Sequence, residues 1–171
     1  MLNNKCIATF FSVFLLLIFQ SCKIGYSFNG ASIPADAKTV SVQYFPSYAT
    51  LAGPLLSQNF TETLKDFMAS QTKLNLTDRN ADMVFEGSIT GYSTSPVAIQ
   101  SNDQAALNRL TITINVKFTN GKDEKKSFEQ SFSRFADYPS SQSLSSVEND
   151  LIKTINKQLV EDIFNKAFNN W

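Results

Sequence analysis

The chain contains no histidine and only two cysteines among 171 residues. Histidine is the side chain most often used as a general base and as a metal ligand, so its absence removes the most common forms of both chemistries. An excess of either charge is also lacking, because 15 Lys and Arg balance 15 Asp and Glu. Nucleic-acid binding requires a basic excess, so nucleic acid is not expected as a partner. The composition predicts a binding or structural protein, not an enzyme, with no cofactor and no metal.

The one long apolar run of the sequence lies near the N-terminus, at residues 7–19, shortly after Lys5. Its length suits the core of a signal peptide and falls short of the roughly 20 residues that a membrane-spanning helix needs. Residues 19–22 then read Phe-Gln-Ser-Cys, which resembles the bacterial lipobox, where the signal peptide is cleaved before the cysteine. We therefore expect a lipoprotein signal peptide at residues 1–21 and a single domain at residues 22–171.

Cys22 is the predicted lipid anchor. Cys6 lies within the signal peptide, so the mature chain keeps one thiol, which has no partner for a disulfide bond. Several acyl chains on Cys22 give stable membrane anchoring. The alternative is an ordinary secretory signal followed by a chance cysteine. No aspartate follows Cys22, and by resemblance to lipoprotein sorting signals this predicts the periplasmic side of the outer membrane.

Hydrophobic periodicity predicts two helices and several strands in the mature chain. The strands are expected at residues 39–45, 83–92, 107–119 and 126–135, with a short one at 74–77; the helices at 53–71 and from about 145 to 169; and a polar loop at 93–106. Two amphipathic helices can cover one face of a sheet. The predicted fold is α+β, a two-layer sandwich with both helices packed on one face of a mostly antiparallel four-stranded sheet.

Three local features are also predicted. Asn120-Gly121 is typical of a hairpin, but a two-residue turn there would put the following phenylalanines on the wrong face. A three- or five-residue loop with Gly121 in a left-handed conformation, or a bulge, is therefore expected, with a second bulge near Ser133. Residues 145–148 match a helix capping box. Gly87 and Gly91 are expected on the apolar face, leaving room for a helix.

The sheet face opposite the helices is predicted to be rich in Thr, Ser, Asn and Gln. Arg109 and Lys117 lie on this face, and Arg134 follows on the next strand with its side left open by the expected bulge. An ordinary solvated face is the plain explanation, since antiparallel sheets often expose one side to water. The alternative is a surface for a polar partner or for lipid phosphates, which Arg and Lys bind well.

Candidate catalytic residues are few. Asp82 and Glu86 share one face of a predicted strand, whereas Asp78 lies in the preceding turn. One interpretation of these residues is a carboxylate-dependent hydrolase. The favoured interpretation is that they are solvated charges in turns and at the rim of the sheet. The spacing matches no calcium loop, phosphate loop or catalytic triad.

Five segments carry a resemblance to a known family. They are residues 26–33, 38–42, 81–90, 108–113 and 162–167, in this order along nearly the whole mature chain. In these segments the sequence resembles the LptE family of lipopolysaccharide-assembly lipoproteins, in its Bacteroidetes form.

The resemblance implies a function. Such lipoproteins sit as a plug inside the large LptD β-barrel of the outer membrane, assist its assembly and bind lipopolysaccharide in transit. It also implies a fold of two helices on a mostly four-stranded sheet. The family's reported lipopolysaccharide contacts include basic residues on the strands, and local geometry makes Arg109, Lys117 and Arg134 the candidates here. The alternative is a stand-alone periplasmic lipid-binding or chaperone lipoprotein.

Overall fold

The structure, a computed structural model, describes residues 33–53, 55–99 and 105–169. The predicted signal peptide and the predicted anchor Cys22 lie outside the described residues, as does most of the first segment that carries the family resemblance.

Five strands and two α-helices make up the described chain. In order they are β1 (Thr39–Val42), α1 (Leu55–Gln71), β2 (Asn75–Leu76), β3 (Met83–Ile99), β4 (Ala105–Asn120), β5 (Phe128–Pro139) and α2 (Leu144–Phe168). The strand order in the sheet is β2-β1-β3-β4-β5. The α+β class is confirmed, and the helices lie within one or two residues of their predicted bounds.

The sheet is mixed and has five strands, where a mostly antiparallel sheet of four was expected. β1 pairs in parallel with both β2 and β3, whereas β3–β4 and β4–β5 are antiparallel. The parallel pairings arise because α1 carries the chain back across the sheet between β1 and β2, as a parallel crossover requires. Apolar alternation identifies a strand, but it contains no information about the direction of the neighbouring strand.

The core lies between the two helices and one face of the sheet, as predicted. Every second residue of β4 is buried there, in the order Leu110, Ile112, Ile114, Val116 and Phe118. Aromatic rings pack within and between the layers: the rings of Phe85 and Phe118 lie 4.6 Å apart within the sheet, and Phe118 joins the sheet to Phe168 of α2 at 5.9 Å. Phe67 and Phe164 join α1 to α2 at 5.4 Å.

The prediction of a loop at residues 93–106 is wrong for most of these residues. β3 continues to Ile99 and pairs with β4 from Ala105 onwards, so the two strands form a long hairpin. Residues 93–97 are exposed. No apolar alternation therefore marks this part of the strand in the sequence. Pro96 sits next to a register shift, a place in a sheet where a residue without an N–H is tolerated.

The β4–β5 connection also differs from expectation. Phe118 lies opposite Phe128 and the register is continuous to Pro139, so the predicted bulge near Ser133 is wrong. The connection is longer than expected and contains a 3₁₀ helix at Glu124–Lys126. No described glycine has a positive φ, so the prediction of a left-handed conformation at Gly121 is also wrong. Instead, the side-chain oxygen of Asn120 accepts the backbone N–H groups of Lys122 and Asp123 at 2.9 and 3.0 Å.

The predicted capping box at 145–148 is wrong as well. α2 begins after Ser143, and Glu148 accepts a hydrogen bond of 2.5 Å from the Tyr92 hydroxyl on β3. Burial and this carboxylate raise the pKa of Tyr92 well above its ordinary value. The helix start is thereby tied to the hairpin, which explains the glutamate without a capping role.

The two glycines of β3 do not make room for a helix. Gly87 faces the core, but the space beside it is taken by the ring of Phe45, which would lie 2.7 Å from an added Cβ. A register shift between Ile89 and Gly91 places Gly91 opposite Thr113. Thr113 is on the polar face, so the expected apolar position of Gly91 is wrong.

Candidate functional site

The polar face of the sheet is formed by the odd-numbered residues of β4 and their cross-strand neighbours. Thr111, Thr113 and Asn115 lie between Arg109 at one end and Lys117 at the other. The hydroxyls of Thr113 and Ser133 lie 3.0 Å apart. The predicted placement of Arg109 and Lys117 on one hydroxyl-rich face of β4 is therefore found in the structure.

Lys117 lies in a shallow groove of about 550 Å³ on this face. Its ammonium donates to Glu86 of β3 at 2.6 Å, and Glu129 of β5 lies directly opposite on the other side. The hydrogen bond and charge of Glu86, followed by the charge of Glu129, raise the pKa of Lys117. Two carboxylates therefore surround one cation, and the groove carries no excess of positive charge.

Arg109 is held by two different contacts. Its guanidinium donates to both carboxylate oxygens of Asp137 at 2.7 and 2.9 Å, and it lies 3.5 Å from the centre of the Phe135 ring. The hydrogen bond that Arg109 donates to Asp137 is the main cause of the raised pKa of Arg109. Eight residues along β4, at about 3.4 Å each, put Arg109 roughly 27 Å from Lys117. One phosphate group cannot bridge the two.

Arg134 lies on the other side of the sheet. It pairs with Ile112, whose side chain is in the core, so Arg134 points towards the helix layer at the open edge of β5. There it donates to both oxygens of Asp162 on α2 at 2.5 and 2.6 Å. The three candidate cations are thus not brought together, and each is paired with a carboxylate of a neighbouring element.

Asp82 has a structural role that the sequence did not reveal. One carboxylate oxygen accepts the backbone N–H groups of Lys38 and Thr39 and the Thr39 hydroxyl at 2.8, 3.1 and 3.0 Å. The other pairs with Lys122 at 2.8 Å. These partners, Lys122 first, hold the pKa of Asp82 well below its ordinary value. A carboxylate with these partners and a lowered pKa is unsuited to act as a general acid or base near neutral pH, which argues against a catalytic role for Asp82.

Sequence reasoning missed the exposed apolar side chains between β1 and α1. Tyr44 was expected in the alternation of the first strand, but β1 ends at Val42 and Phe45 takes the core position instead. Tyr48 and Leu51 are 74% and 73% exposed, and Leu55 follows at 61%. No periodic pattern marks Tyr48 and Leu51, because they lie between β1 and α1, outside the named strands and helices, and Leu55 is the first residue of α1.

The described residues contain neither a cluster suited to a metal ion nor a membrane-spanning helix. No group of three or more Cys, Asp or Glu residues in the described ranges is arranged to hold a metal ion. Among the described helices, neither is long and apolar enough to cross a bilayer.

Comparison with protein families identifies the domain. The model of the lipopolysaccharide-assembly family LptE matches residues 37–167, which is most of the chain and includes every strand and both helices described above except the last residue of α2. The chain belongs to the LptE family. Members of this family are non-enzymatic lipoproteins associated with the outer membrane. No curated protein matches this LptE family member.

Solved structures share the fold at low sequence identity. A minor lipoprotein from Acinetobacter baumannii matches with a TM-score of 0.51 and 13% identity, over 76% of this chain and 91% of that chain. The hypothetical protein CT253 from Chlamydia trachomatis matches with a TM-score of 0.54 and 10% identity, over 77% and 98%. At these identities the likeness extends to the fold alone.

Proposed function

We propose that this LptE family lipoprotein is anchored in the outer membrane through acylated Cys22 and sits inside an LptD-type β-barrel. There it assists barrel assembly and contacts lipopolysaccharide on its way to the outer leaflet. The match of the lipopolysaccharide-assembly family to nearly the whole folded domain is the observation that carries this proposal.

The polar sheet face supports the position inside a barrel. Large outer-membrane barrels have a wet, polar interior. The central part of this face presents hydroxyls and amides, namely Thr111, Thr113, Asn115 and Ser133, and its cations are neutralised by carboxylates. Such a surface can exchange hydrogen bonds with a hydrated barrel wall without leaving a charge unpaired.

Purification from detergent-extracted outer membranes tests the proposal. The full lipoprotein, tagged at its C-terminus, should bring down a large β-barrel in a one-to-one complex, identified by mass spectrometry of the band. Intact-mass analysis should show acyl chains on Cys22, and Cys22→Ala should release the chain from the membrane fraction. Recovery of the wild-type lipoprotein without a barrel would contradict the proposal and favour the stand-alone lipid-binding alternative.

Arg109, Lys117 and Arg134 are the proposed lipopolysaccharide contacts. Guanidinium and ammonium groups bind phosphate well. The structure adds a condition, because an arriving phosphate must displace Asp137, Glu86 or Asp162 from its cation. Exchange of one anion for another is feasible at these sites, since exposed ion pairs contribute only about 0–1 kcal/mol.

A double charge reversal tests the two contacts on the polar face. Arg109→Glu with Lys117→Glu should weaken binding of diphosphoryl lipid A by about tenfold or more, and binding should fall with added salt because exposed charges are screened. Lys153→Glu with Lys157→Glu, on the exposed surface of α2, is the matched control. Arg134→Gln is measured separately, since it lies on the other face. Unchanged affinity and no salt dependence would mean that the polar face is an ordinary hydrated surface without a role in lipid A binding.

A further inference from the structure

The two edges of the sheet differ greatly in length. β2 forms one edge and has only two residues, Asn75–Leu76. β5 forms the other edge and has twelve, Phe128–Pro139. Within the described ranges, no strand pairs with the outer side of β5. A long edge strand of this kind can pair with another chain, because the N–H and C=O groups that point outward have no strand partner.

β5 lacks the features by which edge strands usually prevent such pairing, namely lysine side chains, bulges and prolines within the strand. It contains no lysine, its register with β4 is continuous, and its one proline is the last residue. Its three charged residues each face an opposite charge of the same chain: Glu129 with Lys117, Arg134 with Asp162, and Asp137 with Arg109. The outer side of β5 is therefore open to a further strand.

A groove of about 370 Å³ lies between β5 and α2 at this edge. It is lined by Arg134 and Phe135 of the strand and by Gln158, Glu161 and Asp162 of the helix. The ring of Phe135 is 46% exposed. Two carboxylates stand against one guanidinium in this groove, so its charge favours a partner that brings a cation.

The position of α2 along β5 follows from two contacts. Asp162 binds Arg134, and the ammonium of Lys166 lies 5.8 Å from the centre of the Phe128 ring. Asp162 and Lys166 are four residues apart, so they share one face of the helix. The turn of α2 between them therefore lies beside the stretch of β5 from Phe128 to Arg134, whose middle residue is Ser131.

A two-fold axis at Ser131 gives charge complementarity between two copies of the chain. When their β5 strands pair antiparallel about this axis, Ser131 lies opposite itself and Phe128 lies opposite Arg134 of the second copy. The two α2 helices are then antiparallel as well, and Asp162 of each copy faces Lys166 of the other. An axis at Arg134 would instead place like charges opposite each other, so the charges select the axis at Ser131.

We propose that the lipoprotein, when it has no barrel partner, pairs with a second copy of itself through β5. The two sheets then form one continuous sheet with five strands from each copy, and the open edge of each copy is covered by the other. This inference concerns the free chain and does not depend on the proposed function. In the one-to-one barrel complex proposed above, the two copies are separate.

Single cysteines in the full lipoprotein, purified without a barrel in a neutral detergent, test the register. Under mild oxidation Ser131→Cys should give a disulfide-linked dimer, because residues directly opposite in an antiparallel pair have Cα atoms about 4.5–5.5 Å apart. Ser133→Cys is the matched control, exposed on the same face of β5. In this register its two copies are offset by roughly 14 Å along the strands, which is too far for a disulfide. Wild type shows any crosslinking through the chain's own cysteines.

A charge reversal on α2 tests the contact between the helices. Lys166→Glu should raise the dissociation constant of the dimer about tenfold, because each copy then presents a carboxylate to Asp162 of the other. Lys153→Glu makes the same change at an exposed position of α2 and should leave the constant unchanged. Sedimentation velocity over a range of protein concentrations measures both constants, and thermal melts confirm that each variant keeps its fold.

The inference is supported by a dimer that forms a disulfide at residue 131 but not at residue 133 and that Lys166→Glu weakens. A monomer at every concentration overturns it, as do equal disulfide yields at the two positions. A dimer that Lys166→Glu and Lys153→Glu affect equally contradicts the proposed register. If Ser131→Cys becomes linked to another polypeptide instead, β5 binds a different partner and the second copy is the wrong occupant.

Discussion

At the scale of single residues, carboxylates determine what the cations of this protein can do. Arg109, Lys117 and Arg134 each pair with an acidic side chain from another strand or helix. The sequence indicates which residues are basic, but the partners lie some 30 positions away in the chain. Cross-strand register decides these pairs, and register cannot be obtained from alternation alone.

Asp82 gives a pH-dependent prediction at this scale. Asp82→Asn should lower the urea midpoint at pH 7, because Asn cannot hold Lys122 and the two backbone N–H groups with the same charge. The folded pKa of Asp82 is depressed, so its contribution to stability is present above the unfolded pKa of about 3.9. It is lost as the pH falls towards the folded pKa. The difference between variant and wild type should therefore shrink between pH 5 and pH 2.

The control for Asp82 is another aspartate without such contacts. Asp66 lies on the exposed side of α1, and Asp66→Asn removes the same charge as Asp82→Asn. It should leave the midpoint within experimental scatter at every pH. A pH-independent loss for Asp82→Asn would mean that the charge of the carboxylate is not what stabilises this junction.

At the scale of elements, the sequence predicts best where packing alternates. The buried even-numbered positions of β4 and the two helices follow directly from periodicity, because each presents one continuous apolar face. The outer half of β3 was missed since residues 93–97 are exposed and their pairing with β4 is a backbone interaction. The parallel pairing of β1 was missed for a related reason, as its partners lie far along the chain.

Gly87 gives a prediction about one strand and its neighbours. In Gly87→Ala the new Cβ would lie 2.1 Å from the Asn115 carbonyl oxygen and 2.7 Å from the Phe45 ring. These two clashes can be relieved only if the backbone of β4 and the Phe45 ring move, so the free energy of unfolding should fall by about 1–3 kcal/mol. Urea denaturation measures it.

Gly53→Ala is the matched control for Gly87→Ala, since nothing lies within 4 Å of its added Cβ. Its φ is not positive, so the backbone accepts an alanine. It should change stability by no more than about 0.5 kcal/mol. Equal effects at the two glycines would show that β3 and the Phe45 ring are not packed as closely as described.

At the scale of the whole molecule, the two layers present different surfaces. One is the polar sheet face; the other is the outer side of the helices, which carries exposed lysines such as Lys153 and Lys157. The proposed function requires the sheet face to be among the surfaces that meet the barrel wall. The sequence predicted this division correctly, because both faces of the sandwich are encoded by simple alternation.

Site-specific photo-crosslinking in cells tests that orientation. A photoreactive residue in place of Thr111, at the centre of the polar face, should give a covalent product with the barrel, detected as a shifted band. The same residue in place of Lys153 on α2 should give less of that product. Strong crosslinking at Lys153 with none at Thr111 would reverse the orientation while leaving the complex itself intact.

The placement of β1 has a consequence for the order of folding. β1 lies between β2 and β3, and both of its neighbours follow it in the chain. Thr39 is tied to Asp82, 43 residues later. The proposed function requires export from the N-terminus, and in that case β1 would reach the periplasm before either partner strand has emerged. We expect the local β3–β4–β5 meander to form first and β1 to join the sheet last, so that the β1 segment stays unpaired for longest.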